Sequence, residues 1–580
     1  MKKSLFLVTL FFINYHVQAQ SVPYPLNNEA VYHQIDRFEV LYGNDNYLQT
    51  TAKPYTRADV IRYALHLDST KARMSKVDQA ALQYLYDDNN ELLTPPELPK
   101  TLTEKSGMNP ISDSAPPQYR SNKKPIFKYF YRTPANLYET RSRFFDLKVN
   151  PVLNFKMASE RDDAQLIFLN QRGVDLRGSI DNRVYFQTNI LETQARFPEY
   201  VNTRIQQDKA IPGTGLFKSY NSIVFKIKNG YDYLNAQGFV GFNITPHIGM
   251  QLGNGQHFVG DGLRSLFLSN FANNYFFMKF NTKVWKFQYQ NLFAELTGDN
   301  SSNGSSLNPK KYTATHQLSF NATKNLNFGV FETVVLNRTG HFELQYLNPI
   351  IFYRSVEHSL GSPDNVLIGA NFKWNTAKRF SIYGQLLLDE FVFKELFIDK
   401  VGWWANKFGT QIGLKYFNVL NIDHLDMQVE YNKIRPFTYS YYTNPNSYTH
   451  AYQNLAHPIG ANFYEIMAKL RYQPTWKLLF DGRLMYANVG ENSATENWGN
   501  RPYVGSNTRK MENGYFVTEG VNAKILLMSL DVSYQLYHNV FADLHFLARK
   551  KDSEDVTRNE RTLYVGGGLR INFGNYRSDY

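Results

Sequence analysis

The sequence predicts an all-β transmembrane barrel of about eighteen antiparallel strands, preceded by a small N-terminal α-helical bundle. Three observations predict it. The 580 residues include 41 Tyr and 43 Phe, yet mean hydropathy is −0.45, the value of a soluble protein. Lipid-facing and lumen-facing residues alternate along a barrel strand and cancel in any window average, so aromatic richness without a long apolar run fits a barrel. Next, period-two runs recur, each about the ten residues that a tilted strand needs to cross a bilayer. Finally, the connections between runs alternate between short and long, which sorts the loops onto two rims.

Taken in order, Lys2-Lys3, the apolar run Leu5 to Ile13 and Val17-Gln-Ala19 read as a signal peptide over residues 1–19. That apolar run is too short for a membrane helix, which needs about 20 residues. Residues 20–93 read as a periplasmic helical bundle. Val31, Ile35, Phe38 and Leu41 share a helical face, Thr56 and Ser75 open capping boxes, and the runs Val60, Ile61, Ala64, Leu65 and Val77, Ala81, Leu82, Leu85 follow them. The bundle either plugs the periplasmic mouth or serves as a peripheral assembly domain. Residues 94–143, with "TPPELP" and "SDSAPPQ", lack periodicity and read as a linker.

The barrel occupies residues 144–580. From Phe145 the odd positions read Phe145, Leu147, Val149, Pro151, Leu153, Phe155 and Met157, while the even ones include Asp146, Lys148, Asn150, Asn154 and Lys156. Similar runs begin at Tyr464, Leu478, Leu526 and Val540, and a last one sets Val565, Gly567, Leu569, Ile571 and Phe573 against Arg570 and Asn572. That last run resembles the terminal strand that barrel-insertion machinery reads. Turn signals stand at Asp181-Asn182, Thr323 to Asn325, Gln473-Pro474 and His538-Asn539, whereas Thr297 to Lys310, Asn337 to Asn365, Pro436 to Gly460 and Gly490 to Gly514 are long connections. A soluble β-sandwich also alternates, but it does not sort its loops by length.

Several chemistries are absent from the sequence. There is no cysteine, hence no disulfide, thiolate nucleophile or cysteine zinc site. "GQHFVGDGLRSLFLSN" at Gly255 to Asn270 has Gly-x-Gly steps, but neither the third glycine of a dinucleotide loop nor the lysine of a P-loop. No G-x-S-x-G or H-E-x-x-H occurs, and Asp389-Glu390, adjacent on a strand, point to opposite faces. The chain therefore reads as non-enzymatic, with no catalytic residue, no cofactor and no metal site.

The order "YDYLNAQGFVGFNIT", "GNGQHFVGDGLRSLFLSN", "LQYLNPIIFYRSVEHSLGSPDNVLIG", "YGQLLLDEF" and "GWWANKFGTQIGLKY" resembles the Wzi-like capsule-assembly outer-membrane proteins, in particular the branch named for the gliding-motility protein RemB. The resemblance spans most of residues 20–580. It implies an eighteen-stranded barrel in the cell outer membrane, a periplasmic helical bundle, and lectin-like binding of surface polysaccharide. The branch is tied by name to surface motility, so capsule attachment does not carry over automatically.

Candidate glycan-binding residues fall in four groups. Gln256, His257, Asp261 and Arg264 belong to the glycine-rich loop, which is expected to fold into the lumen and narrow the pore. They either hydrogen-bond sugar hydroxyls or bond each other and the wall. Arg354, Glu357 and His358 either form a binding surface or hold their loop in place. Trp403 and Trp404 either stack on sugar faces or join the interfacial aromatic girdle. Lastly, the formal charge of +12, less Lys2 and Lys3, leaves +10, and inward positions carry Lys148, Lys156, Lys469, Arg471, Lys477, Arg483, Arg549 and Arg570 against Asp146, Glu465, Asp481 and Asp543. A basic lumen would attract an acidic polysaccharide, Arg471 and Arg483 being its probes, unless acids elsewhere in the chain pair with it. Nucleic acid is a poor partner for an exported chain. The expected function is binding or display of surface polysaccharide in gliding or adhesion. The alternative is a barrel anchor that serves motility or secretion machinery, with periplasmic or surface motility proteins as partners.

Overall fold

The computed structural model describes residues 22–44, 48–68, 71–93, 133–142, 144–181, 183–223, 227–298, 308–338, 341–361, 364–392, 394–574 and 578–580. The expected signal peptide and most of the expected linker fall outside the described residues. Eighteen strands form a closed antiparallel barrel. In chain order they are β1 (Phe145–Glu160), β2 (Asp163–Ile180), β3 (Val184–Arg196), β4 (Ile227–Asn243), β5 (Ile248–Gly255) and β6 (Tyr275–Val284). The middle six are β7 (Phe287–Thr297), β8 (Lys310–Asn321), β9 (Leu326–Leu336), β10 (Asn365–Thr376), β11 (Phe380–Glu390) and β12 (Lys407–Tyr416). The last six are β13 (Leu425–Ile434), β14 (Phe463–Thr475), β15 (Leu478–Glu491), β16 (Val521–Tyr537), β17 (Val540–Ser553) and β18 (Glu560–Ile571). β18 pairs with β1 from Ile571↔Leu153 to Tyr564↔Glu160, so the ring has no edge.

The alternation sets what each wall faces. Leu153, Phe155 and Met157 of β1 are exposed on the outside, while Asn154 and Lys156 between them are buried in the lumen. The same holds for Ile466 and Leu470, Met528 and Leu530, and Leu563, Val565 and Leu569. Aromatic side chains collect at the turns of one rim, with Phe287 stacked on Phe320 at 4.7 Å and Phe380 on Tyr416 at 4.4 Å. A closed ring with an apolar outer belt and an aromatic girdle is a membrane-spanning barrel. The protein is an outer-membrane β-barrel, and no described helix is long and apolar enough to cross a membrane. Leu544 is 53% exposed at mid-strand on this belt. We expect Leu544→Arg to cost about 2 to 4 kcal/mol, read as loss of the heat-modifiable folded band on a gel.

Four local features differ from the sequence reading. Gln473-Pro474 lies inside β14, where the register with β15 slips between Tyr472 and Thr475, and the turn falls at Trp476-Lys477. Within the expected linker, Tyr138–Arg141 forms a short strand paired with Asp146–Val149. Phe573 lies past the end of β18 and lines the lumen instead of continuing the outer face. The connections after β1 and after β17 are short although they lie on the long-loop rim, so loop length does not sort strictly.

Before the barrel stand α1 (Glu29–Tyr42), α2 (Arg57–Asp68) and α3 (Lys76–Asp88). The Thr56 and Ser75 hydroxyls accept from the Asp59 and Asp78 amides at 3.1 and 3.0 Å, which fixes where α2 and α3 begin. The apolar faces meet in a core that includes Val31, Ile35, Phe38, Val60, Ile61, Leu82 and Leu85. This domain sits in the barrel mouth at the short-turn rim. Lys415 of β12 pairs with Asp36 at 2.7 Å and Lys373 of β10 with Glu39 at 2.8 Å. Arg37 bridges Asp78 at 3.0 Å and Asp426 of β13 at 2.8 Å, and Lys283 of β6 pairs with Asp59.

Candidate functional site

Among the described residues, segments from both rims enter the lumen. From the short-turn rim the helical domain sends Thr51 to Lys53 into the ring. Ala52–Lys53 pairs antiparallel with Phe258–Val259 of the β5–β6 connection, joining a segment from each rim inside the ring. That connection, residues 256–274, folds inward as the sequence suggests. The Leu263 and Arg264 amides donate to Glu430 of β13 at 2.7 and 3.1 Å, Leu266 donates to Gln385 at 2.8 Å, and Phe267 stacks on Phe331 at 4.7 Å. Gly260 has φ +144°, and a Cβ on Gly262 would lie 2.4 Å from the Glu430 carboxylate. These glycines thus let a backbone cradle close around an anion, as in phosphate loops, but the anion is a side chain of the barrel itself.

Residues 578–580 also lie inside. Asp579 accepts from Arg264 at 3.1 Å and pairs with Arg483, and Tyr580 packs on Phe271 and on Tyr200 of α4 (Glu199–Asp208) in the β3–β4 connection.

The basic excess of the lumen is met in part by the helical domain and residues 578–580, and in part by acids on the strands. Arg483 reaches Glu29 at 2.6 Å and Asp579 at 2.5 Å, Lys469 reaches Glu29 at 3.1 Å and Asp481 at 3.3 Å, and Lys148 and Arg177 hold Glu91. Burial alone would raise the Glu91 carboxyl, but Lys148, Arg177 and Arg57 hold it down to about 2. His33, beside Asp426 at 2.9 Å, is pushed down to about 4 by burial and by Arg471, so it is neutral at pH 7. Arg570 pairs with Asp543 at 2.7 Å, and Arg549 with Glu560 at 2.6 Å.

Between the helical domain and the wall remains a cavity of about 300 Å³, within the range of small-molecule sites. It is lined from Lys477 and Asn539 at the short-turn rim to Gly213-Thr214 of the β3–β4 connection. Its wall is rich in amides on inward positions of β2 to β5: Gln171, Gln187, Asn189, Asn235, Gln237 and Gln251. Tyr233, Phe239 and Trp476 add ring faces. Lys279 of β6 also lines it, buried, and makes no hydrogen bond or ion pair among the described residues.

Of the candidates from sequence, Gln256, His257 and Arg471 meet in this cavity. The Gln256 amide donates to the Ala272 carbonyl at 2.6 Å, His257 lies 3.3 Å from the Tyr275 hydroxyl, and Arg471 donates to Gln473 at 3.4 Å. Burial and then Lys279 push the His257 imidazole well below its ordinary value, so it is neutral. Asp261, Arg264 and Arg483 lie elsewhere in the lumen, engaged with Thr51 and Lys373, with Asp579 and Glu465, and with Glu29.

Arg354, Glu357 and His358 sit on a short helix, α5 (Tyr353–Ser359), in the β9–β10 connection, with Arg354 paired to Glu357 at 2.7 Å. Trp403 and Trp404 belong to the β11–β12 connection. The Trp404 indole donates to Glu512 at 2.7 Å and is covered by Arg509 at 3.9 Å, so it is part of a loop-to-loop contact. Lys279 and the amide row were missed by the sequence reading. Their signal was present as amides at alternate positions of neighbouring strands, "QTN" and "NAQ", but β2 to β6 had not been set in register.

No protein-family model and no curated protein sequence matches the chain. In fold it is similar to the Escherichia coli outer-membrane protein Wzi, described as involved in group 1 capsule assembly and as a carbohydrate-binding β-barrel. The two share 13% identity at a TM-score of 0.55, over 95% of this chain and 99% of that one. Pseudomonas aeruginosa OprD aligns at a TM-score of 0.40 with 10% identity, over 73% of this chain and 95% of that one. Acinetobacter baumannii OccAB2 aligns at 0.40 with 8% identity, over 74% and 97%. At these identities the likeness is one of fold.

Proposed function

We propose that this outer-membrane barrel binds or helps display a surface polysaccharide, with an acidic sugar unit held in the lumen cavity, and that it is not an enzyme. The observation that carries the reading is the cavity itself: amides and ring faces surround a buried lysine that has no partner among the described residues. Amides exchange hydrogen bonds with sugar hydroxyls, rings cover sugar faces, and a carboxylate on the sugar would supply the counter-charge that Lys279 lacks. The fold likeness to a carbohydrate-binding barrel supports the same reading. Gliding motility as the setting, and motility proteins as partners, rest on the sequence resemblance to the RemB branch.

Calorimetry with oligogalacturonate and with a neutral dextrin tests the reading on the purified protein. Lys279→Gln should weaken oligogalacturonate binding about tenfold, or about 1.4 kcal/mol, with the folded band on a gel unchanged. Equal affinity for both sugars, or no binding of either, would remove the lumen site and leave the anchor reading.

A further inference from the structure

Three polar residues stand side by side on the wrong wall. Asn291 of β7 pairs with His316 of β8, and His316 with Glu332 of β9. All three share the outward register with Phe328 and Val330, which are exposed on the apolar belt. Left bare near mid-strand, such groups would face hydrocarbon, where polar side chains are costly.

The β9–β10 connection covers them from outside the barrel. The Pro349 carbonyl accepts from the Asn291 amide at 3.3 Å and from the Tyr289 hydroxyl. The Arg354 amide donates to Glu332 at 3.1 Å, and the Tyr353 ring lies on His316 with centroids 3.9 Å apart. Tyr346, Tyr353 and Val356 pack on Phe293, Tyr312 and Val334, which are also outward positions. The tip therefore reaches Tyr289, two residues from the start of β7 at the short-turn rim. A loop that leaves the opposite rim has descended over most of the wall.

The tip exposes large apolar side chains: Leu344, Ile350 and Phe352 are 72%, 86% and 70% exposed, with Leu347 and Ile351 beside them, while the exposed polar residues are Gln345 and Asn348 at the tip and His341, Arg354, Ser355, His358 and Ser359 toward the loop's ends. Two backbone donors of the tip are met locally. The Ile350 and Ile351 amides both donate to the Asn348 side chain, at 3.1 and 3.4 Å. Non-helical backbone at membrane depth is tolerated only where it is buried against protein, and here the backbone of the tip lies against β7 to β9, with the Pro349 carbonyl and the Arg354 amide bonded to the wall.

We propose that residues 341–361 form a membrane-embedded flap that lies against the outer wall, with Leu344, Ile350, Ile351 and Phe352 in contact with lipid acyl chains. Lipid is the occupant because the exposed face continues the belt of Phe328, Val330 and Ile368. Arg354, exposed and paired with Glu357, has a side chain long enough to carry its charge along the helix toward the headgroups.

The cysteine-free sequence allows single-site spin labelling. Ile350→Cys and Phe352→Cys, with Val330→Cys as a belt reference and Tyr442→Cys as an exposed long-loop reference, are labelled with a nitroxide in liposomes. The flap labels should match Val330, with high oxygen accessibility and loss of accessibility to a water-soluble nickel chelate. Nickel accessibility equal to that at Tyr442 would make the segment an aqueous loop. Shelter from both reagents would mean that a protein, not lipid, covers it. Either outcome overturns the proposal, and a normal folded band confirms that each variant reports on the native barrel.

Discussion

Arg37→Ala should release the helical domain from the barrel at a cost of about 3–5 kcal/mol, the usual penalty for removing one member of a buried ion cluster. Arg37 is buried and holds two carboxylates, Asp78 within its own domain and Asp426 on β13. Without it, both carboxylates stay desolvated beside each other, and the arrangement relaxes most readily by undocking. Limited proteolysis should then cut within α1 to α3 while the barrel keeps its heat-modifiable band. Adding Asp426→Asn should restore part of the protection, because one of the orphaned charges is gone. Unchanged protease resistance in Arg37→Ala would show that docking rests on other contacts.

Glu430→Ala is the second large effect. This buried carboxylate accepts from two loop amides, from the Tyr383 hydroxyl at 2.8 Å and from Asn432 at 2.9 Å. Each buried donor left without an acceptor costs about 1–3 kcal/mol, so the loop of residues 256–274 should lose its anchor and move away from the wall. A barrel of about eighteen strands has a lumen wide enough for an aqueous channel unless it is filled. The unmodified protein should therefore be nearly silent in planar bilayers and Glu430→Ala should pass frequent current steps, while Glu430→Gln, which keeps an acceptor, should stay close to silent. Large steady conductance in the unmodified protein would contradict the filled lumen.

The parts legible in the sequence are those governed by local periodicity. The outward runs at Leu153, Leu470, Met528 and Leu544 followed from period two, and Thr56 and Ser75 marked helix starts because capping is decided within three residues. The glycines at Gly260 and Gly262 signalled a backbone cradle, but its anion, Glu430, lies about 170 positions along the chain, a pairing that no local pattern encodes. The partners of the basic lumen escaped for the same reason. Glu29 and Glu91 belong to the helical domain and Asp579 follows the last strand, so a charge count over strands alone found an excess. Asn291, His316 and Glu332 broke the alternation on the lipid side, which is a visible signal once β7 to β9 are aligned.

The seam between β18 and β1 bears on how the molecule comes apart. Residues such as Leu153 and Ile571 are joined across more than four hundred positions of chain, so the ring can close only after every other strand is in place, which makes assembly slow. Once closed, it offers no terminal strand from which to unzip. Any opening must part a whole ladder of backbone hydrogen bonds in a medium that supplies no replacements. The lifetime of the folded barrel is therefore set by the height of that barrier, and its endurance in detergent or heat should be read as a rate of escape, not as a balance between two states.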